Sequence, residues 1–129
     1  MSKSNWYFPS DYEEFIYKSR YARWNGERRE EWPETVDRYL GFMTAQLKQN
    51  HDYDIAPDIL AELRSAILNF EVVPSMRALM TADETYGSGA LSRDNTAGYN
   101  CAYLAVDDVK AFDEAMFILL CGTGVGFSV

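Results

Sequence analysis

The chain has 129 residues, 47% hydrophobic and 15% aromatic, which fits one folded domain and excludes a disordered tail. Its formal net charge is -8, from 20 acidic against 12 basic residues, so unspecific attraction to a phosphate backbone is excluded and no direct nucleic-acid partner is expected. No apolar run reaches the roughly 18–20 residues of a membrane helix, and residues 1–6 lack the apolar core of a signal peptide, so a cytoplasmic setting without a membrane partner is expected.

Ser10, Asp11, Tyr12 and Glu13 have the spacing of a capping box and predict a helix running to about Trp24. Tyr12, Phe15, Ile16 and Ser19 fall on one face of it. Asn25-Gly26 breaks this helix, and the mixed-charge run 27–31 reads as a solvated connector. Pro33 suits the first turn of a second helix, followed by Val36, Tyr39, Leu40, Met43 and Leu47 at helical intervals. A polar linker through Asp54 leads to Pro57 and a third helix, where Leu60, Leu63, Ile67 and Phe70 recur. All three apolar stripes read as core faces and not as cofactor sites.

From Glu71 the pattern changes. Val72-Val73-Pro74-Ser75 reads as a short extended segment, because a residue before proline is pushed away from the helical region. Residues 81–98 are rich in turn formers, with Gly87-Ser88-Gly89 the most flexible part. A strand is expected over 99–106, and Asp107-Asp108 would cap a helix bearing Phe112, Met116, Leu119 and Leu120. A second strand is expected over 124–129. Strand, helix and strand make a βαβ unit, so the expected fold class is α/β, helical over 1–70 and sheet-forming over 71–129.

The chemistry-bearing residues are few. Cys101 and Cys121 do not make a disulfide framework, and each is open to two readings: a small buried hydrophobe or a redox thiol. Cys101, early in a strand and facing a glycine-rich turn, has the better setting for the second. His51 stands alone, so no zinc site of the usual kinds and no Cys/His or Ser/His/Asp catalytic set is expected. Gly122-x-Gly124-x-Gly126 has the glycines of a dinucleotide fingerprint in the wrong context, since that motif needs a strand before it and a helix after it. Two readings stay open for this turn: Gly122 as a left-handed helix C-cap, or Thr123-Gly124 as bare main chain that can touch a ligand.

Three stretches carry a resemblance. They are Val73-Pro74-Ser75-Met76-Arg77-Ala78-Leu79-Met80, then Arg93-Asp94-Asn95-Thr96-Ala97-Gly98-Tyr99-Asn100-Cys101, then Cys121-Gly122-Thr123-Gly124-Val125-Gly126-Phe127-Ser128-Val129. In order and spacing they resemble ribonucleotide reductases, in particular the adenosylcobalamin-dependent ribonucleoside-triphosphate branch. Residues 15–24 and 28–36 are similar to that branch's N-terminal helices, so the resemblance runs from about Tyr12 onward. It implies N-terminal helices followed, over 71–129, by the first βαβ unit of an incomplete ten-stranded α/β barrel.

The resemblance also implies a function: reduction of ribonucleoside triphosphates to 2′-deoxyribonucleotides by thiyl-radical chemistry, with adenosylcobalamin as cofactor. Cys101 matches the first of the family's pair of reducing cysteines and is the catalytic candidate. Ser75, Asn100 and Gly124 fall where the family binds the nucleotide's ribose and phosphate. Cys121 matches no family thiol and reads as filler at a helix end. The radical-bearing cysteine, the active-site glutamate and the second reducing cysteine of the family lie downstream of the matched region. The chain is therefore expected to be an N-terminal fragment, inactive alone, with cobalamin held mainly elsewhere. Its expected partners are a complementary downstream reductase fragment and a thiol reductant such as a thioredoxin-like protein. The competing expectation is a non-catalytic helical interaction or structural protein that keeps only the scaffold.

Overall fold

The computed structural model describes residues 8–83 and 89–128; the expectations for residues 1–6, for Gly87-Ser88 and for Val129 lie outside them. Helices α1 (Asp11–Arg20), α2 (Trp32–His51) and α3 (Pro57–Leu68) come first. The short helices α4 (Met76–Thr81) and α5 (Ala90–Arg93) and a 3-10 turn (Asn95–Gly98) follow. Strand β1 (Cys101–Ala105), helix α6 (Ala111–Leu120) and strand β2 (Gly124–Ser128) close the order. The protein is thus mainly helical with a two-stranded parallel sheet, compatible with an α/β class, and the described residues form no barrel. Among them no helix is long and apolar enough to cross a membrane.

Ser10 caps α1 as its spacing predicts, its hydroxyl accepting from the Glu13 N–H. The helix nevertheless stops at Arg20, short of Trp24. The chain doubles back instead: Asn25 Oδ1 accepts from the N–H groups of Glu27 and Arg28 at 3.0 and 2.9 Å, Gly26 turns with φ 106°, and Trp24 pairs with Arg29. An Asx turn at Asn25 thus satisfies the Glu27 and Arg28 donors locally, in place of helical bonds.

This hairpin corrects the reading of 27–31 as a solvated connector. Glu30 is fully buried, and Arg38 of α2 meets it with both Nε (3.1 Å) and Nη2 (2.7 Å). Thr35 donates to the same carboxylate at 2.6 Å, and so does the main-chain N–H of Arg23 at 3.0 Å. Tyr17 of α1 joins the group through Thr35 Oγ1 at 2.6 Å. Burial pushes the Tyr17 phenol well above its ordinary range, so it stays a neutral hydrogen-bonding group at any physiological pH. The far side of the Arg38 guanidinium donates to the carbonyls of Leu79 (2.8 Å) and Ala82, the end of α4. A cation on the last carbonyls of a helix satisfies acceptors that the helix itself cannot.

Around this polar centre lie Tyr17, Trp32, Val36, Leu40, Ile67 and Leu79 as the apolar core. Phe70 stacks on Trp32 with centroids 5.0 Å apart, and Phe8 stacks on Tyr17 at 5.1 Å. Phe70 lies just beyond α3 with φ 59°, a left-handed conformation that costs a bulky residue roughly 1–2 kcal/mol and is held by the ring stack.

The stripe readings hold best for α2, where Val36 and Leu40 are buried and Trp32, Thr35, Arg38 and Phe42 join them. They fail for α1, where Tyr12 and Phe15 are 71% and 64% exposed and Tyr17 is the buried residue. In α3, Ile67 is buried and Leu63 exposed. Helix α4 was not anticipated, because a six-residue helix leaves almost no periodic signal.

The βαβ unit forms with narrower bounds than expected. β1 and β2 run parallel with Cys101 opposite Gly124 and Ala105 opposite Ser128. Asp108 accepts the Ala111 N–H at 3.1 Å and so caps the turn leading into α6, as Asp107-Asp108 suggested. Phe112, Met116, Leu119 and Leu120 are all more than half exposed.

Substituting Arg38→Leu alone should lower the unfolding free energy by about 3–5 kcal/mol, because it strands Glu30 and two helix-end carbonyls in the interior. The pair Glu30→Leu with Arg38→Leu should recover part of that loss, as measured by urea denaturation of each chain. A single variant as stable as the parent would show that the network does not hold the fold together.

Candidate functional site

The site is built at the start of the two strands. Alternation along β1 puts Ala102 and Leu104 toward α6 and leaves Cys101, Tyr103 and Ala105 on the open face, all exposed. On that same face Tyr103 and Ser128 join hydroxyls at 2.7 Å, across the sheet. Cys101 is a free, exposed thiol. Cys121 is half-buried on the other side, in a hollow shared with Ala102, Phe117, Ile118 and Thr123. The two sulfurs therefore face opposite sides of the sheet.

The glycine turn between α6 and β2 has a definite structure. Gly122 takes φ 83°, its N–H donates to the Leu119 carbonyl at 2.9 Å, and the Thr123 N–H reaches the Ile118 carbonyl at 3.3 Å. These two bonds make a Schellman C-cap, so the left-handed reading of Gly122 is correct. Thr123 is buried, with its hydroxyl donating to the Tyr99 carbonyl at 3.0 Å, so it offers nothing to a ligand. Gly124 is exposed, and its N–H is taken by the Asn100 carbonyl at 3.0 Å. A Cβ at Gly124 would meet only that carbonyl oxygen at 3.6 Å, ordinary contact. Strand pairing therefore does not itself demand glycine there, and the missing side chain leaves room on the open face.

Asn100 precedes Cys101, with its carbonyl committed to Gly124, and it is one of the residues that line a cleft of about 650 Å3. Ser75 stands at the start of α4 and its hydroxyl accepts from the Ala78 N–H. Cys101, Asn100 and Gly124 are thus brought together, whereas no hydrogen bond joins Ser75 to them among the described residues. What links α4 to the site is Arg77, two residues on, which donates to the Gly122 carbonyl. A Cβ at Gly122 would meet that guanidinium at 3.4 Å, ordinary contact, so it is the left-handed backbone that calls for glycine there.

Sequence reasoning missed Arg77 and Tyr103. Tyr103 was within reach, since a residue two positions after Cys101 in a strand shares its face. Arg77 gave no local signal, because its partner lies far along the chain. The approach to Cys101 is fixed by Asp94, whose carboxylate accepts from the backbone and hydroxyl of Thr96, both at 2.9 Å. The backbone bond, then the hydroxyl, holds the Asp94 carboxyl below its usual range. This cap is complete above the ordinary aspartate pKa and is lost as the pH falls through the depressed one.

No family model and no solved structure matches the chain. It is similar to the adenosylcobalamin-dependent ribonucleoside-triphosphate reductase of Levilactobacillus brevis, 32% identical over 139 aligned residues that cover 88% of this chain and 18% of that protein. The chain thus spans just under a fifth of the length of this curated relative, and most of its own length is similar to part of a ribonucleotide reductase.

Mild oxidation of the folded chain should give no Cys101–Cys121 peptide on non-reducing mapping, since a disulfide needs Cα atoms within about 7 Å and thiols that point together. Cys101 should react with iodoacetamide several-fold faster than Cys121, on access alone. A dominant intramolecular disulfide would overturn the placement of the two sulfurs on opposite faces.

Proposed function

We propose that this chain forms the N-terminal part of an adenosylcobalamin-dependent ribonucleoside-triphosphate reductase, with its helices over 1–70 and the start of the reductase barrel over 71–129. In that role it supplies one of the two reducing thiols, Cys101, and part of the substrate site. The observation that carries this reading is the exposed thiol of Cys101 on the helix-free face of a βαβ unit, directly opposite Gly124. The similarity to a reductase over most of the chain supports it.

A nucleotide lying on the open face would meet groups of three kinds. Cys101 offers a thiol, Asn100 a carboxamide, and Gly124 a stretch of main chain with no side chain in the way. Ser75 would contribute its hydroxyl from the adjoining helix, at the expense of a cap bond that is already long at 3.4 Å. In the overall reduction two thiols become a disulfide, their two electrons and two protons go to the sugar, the 2′ C–O bond breaks, and the oxygen leaves as water. Cys101 is one thiol of that pair. Cys121 is unsuited to be the other, because it faces the opposite side of the sheet. The second thiol therefore belongs to the rest of the assembled enzyme, and a thioredoxin-like dithiol is the kind of reductant that resets the disulfide.

The described residues do not fit adenosylcobalamin by themselves. Two five-residue strands give too narrow a platform for a corrin ring, and His51, the chain's one imidazole, sits at the far end of α2. On this reading the cofactor is held by the remainder of the reductase, in the cytoplasm.

The surface supports an assembly of this kind. Phe112, Phe117, Leu120 and Phe127 of the βαβ unit are each more than 60% exposed, and large apolar side chains left in water are suited to being covered by a partner. Both edges of the two-stranded sheet also offer backbone groups for pairing.

Co-expression with the downstream part of a related reductase should convert a self-associating chain into a discrete complex on size-exclusion chromatography. In that complex Cys101→Ser should abolish ribonucleotide reduction, since a hydroxyl cannot form the disulfide, whereas Cys121→Ala should keep most of the activity. Equal loss in both variants, or full activity in Cys101→Ser, would refute the assigned role.

A further inference from the structure

A hollow of about 340 Å3 on the far side of α1 calls for one kind of occupant. Residues of α1, of the segment before it, of the start of α2 and of the 70–76 stretch line it. Two of the lining rings spend their polar tips in the interior: the Tyr17 hydroxyl meets Thr35 Oγ1 at 2.6 Å, and the Trp32 indole N–H donates to the Leu68 carbonyl at 3.3 Å. Those rings therefore offer the hollow apolar surface alone. Its rim lies in water, with Tyr12 71% and Val73 53% exposed. Glu13 is the one charged group among the described residues that line it, and Asp11 and Glu14 share the first turn of α1 with it. A polar ligand would give up its hydration here without new hydrogen bonds to replace it. An apolar ring with a cation close by matches both features.

We propose that the chain closes this groove with its own N-terminal segment, Trp6 filling the hollow and Lys3 meeting the acidic first turn of α1. The proposal goes beyond the reductase reading and does not depend on it. Phe8, the first described residue, itself lines the groove and stacks on Tyr17 with centroids 5.1 Å apart. Trp6 comes two residues earlier, so its Cα lies within about 7 Å of the Phe8 Cα by any path. Pro9 holds the preceding Phe8 in extended backbone, and along an extended chain residues two apart share a side. That places Trp6 on the side of Phe8 and sends Tyr7 to the other. Residues 1–7 carry Lys3 and no carboxylate, in a chain whose net charge is -8, so their charge complements Glu13 and its neighbours. The volume is at the small end of the range for ligand cavities and has room for one bicyclic ring. Met76 in the groove wall is followed by Arg77, which holds the Gly122 carbonyl. A filled groove thus ties α1 to the first turn of α4 and supports the turn that leads into β2.

The test is fluorine NMR of the full chain labelled with fluorotryptophan, where Trp6, Trp24 and Trp32 each give a resonance and Trp6→Phe identifies the first. The readout is the change of each shift between light and heavy water, large for a ring in solvent and small for a covered one. Trp24, 60% exposed, and Trp32, 2% exposed, set the two ends of that scale. Trp6 is expected to respond several-fold less than Trp24, by an amount that does not vary with protein concentration. Val73→Asp, a change at the exposed rim, should bring Trp6 to the Trp24 value while Trp32 keeps its own, the sign that the core stays folded. A Trp6 that responds like Trp24 in the parent chain overturns the proposal. So does a Trp6 that stays covered in Val73→Asp, since it is then buried somewhere else. Cover that is lost on dilution also overturns it, because the groove is then filled by the segment of a second copy. Any of these results leaves the reductase role standing, which the activity of Cys101→Ser in the assembled enzyme tests separately.

Discussion

The buried pair of Glu30 and Arg38 is the constraint on which the rest of this fold depends. One carboxylate and one guanidinium connect four separate parts of the chain: Tyr17 and the end of α1, the hairpin that delivers Glu30, helix α2, and the carbonyls that end α4. Taking two charges out of water is expensive, and their mutual attraction offsets that only when nearly every remaining donor and acceptor is matched. Here Thr35, the Arg23 backbone and two helix-end carbonyls do the matching. Such a group tolerates few arrangements, so it specifies where α4 must sit more sharply than apolar contacts could.

The position of α4 then reaches the site through a single side chain. Arg38 fixes the last turn of α4, and Arg77 in its first turn holds the Gly122 carbonyl. The Schellman cap and the buried hydroxyl of Thr123 fix the rest of that turn, and Gly124 pairs with Asn100 immediately before Cys101. The thiol itself is exposed, but the backbone beneath it is held from both sides. An exposed side chain on a well-determined backbone has a defined position even though nothing packs over it.

What was legible in the sequence was what depends on neighbours along the chain. The Ser10 cap, the proline starts of α2 and α3, the Asp108 cap and the Gly122 C-cap are local, and each stands where its motif put it. The parallel pairing of β1 with β2 followed from a helix set between two short β-prone runs. What failed depends on distant partners. Glu30 looked like one charge in a solvated run because Arg38 and Ala82 carry no local mark of their role. The apolar face of α1 was misread because Tyr17 was drawn inward by Thr35, so the helix is rotated away from its most hydrophobic stripe. At the site, Cys101, Asn100 and Gly124 were readable as a strand start and a turn, while Arg77 became visible only once α4 was in place.

The hydroxyl contact between Tyr103 and Ser128 bears on accuracy of pairing more than on strength. It is solvent-exposed and adds little to stability, yet it forms only when β1 and β2 meet in one register. A slip by a single residue would turn Val125 onto the open face in place of Gly124, and the thiol would sit against an isopropyl group where bare backbone now lies. The tyrosine thus acts as a proofreader for a sheet too small to correct itself by burial.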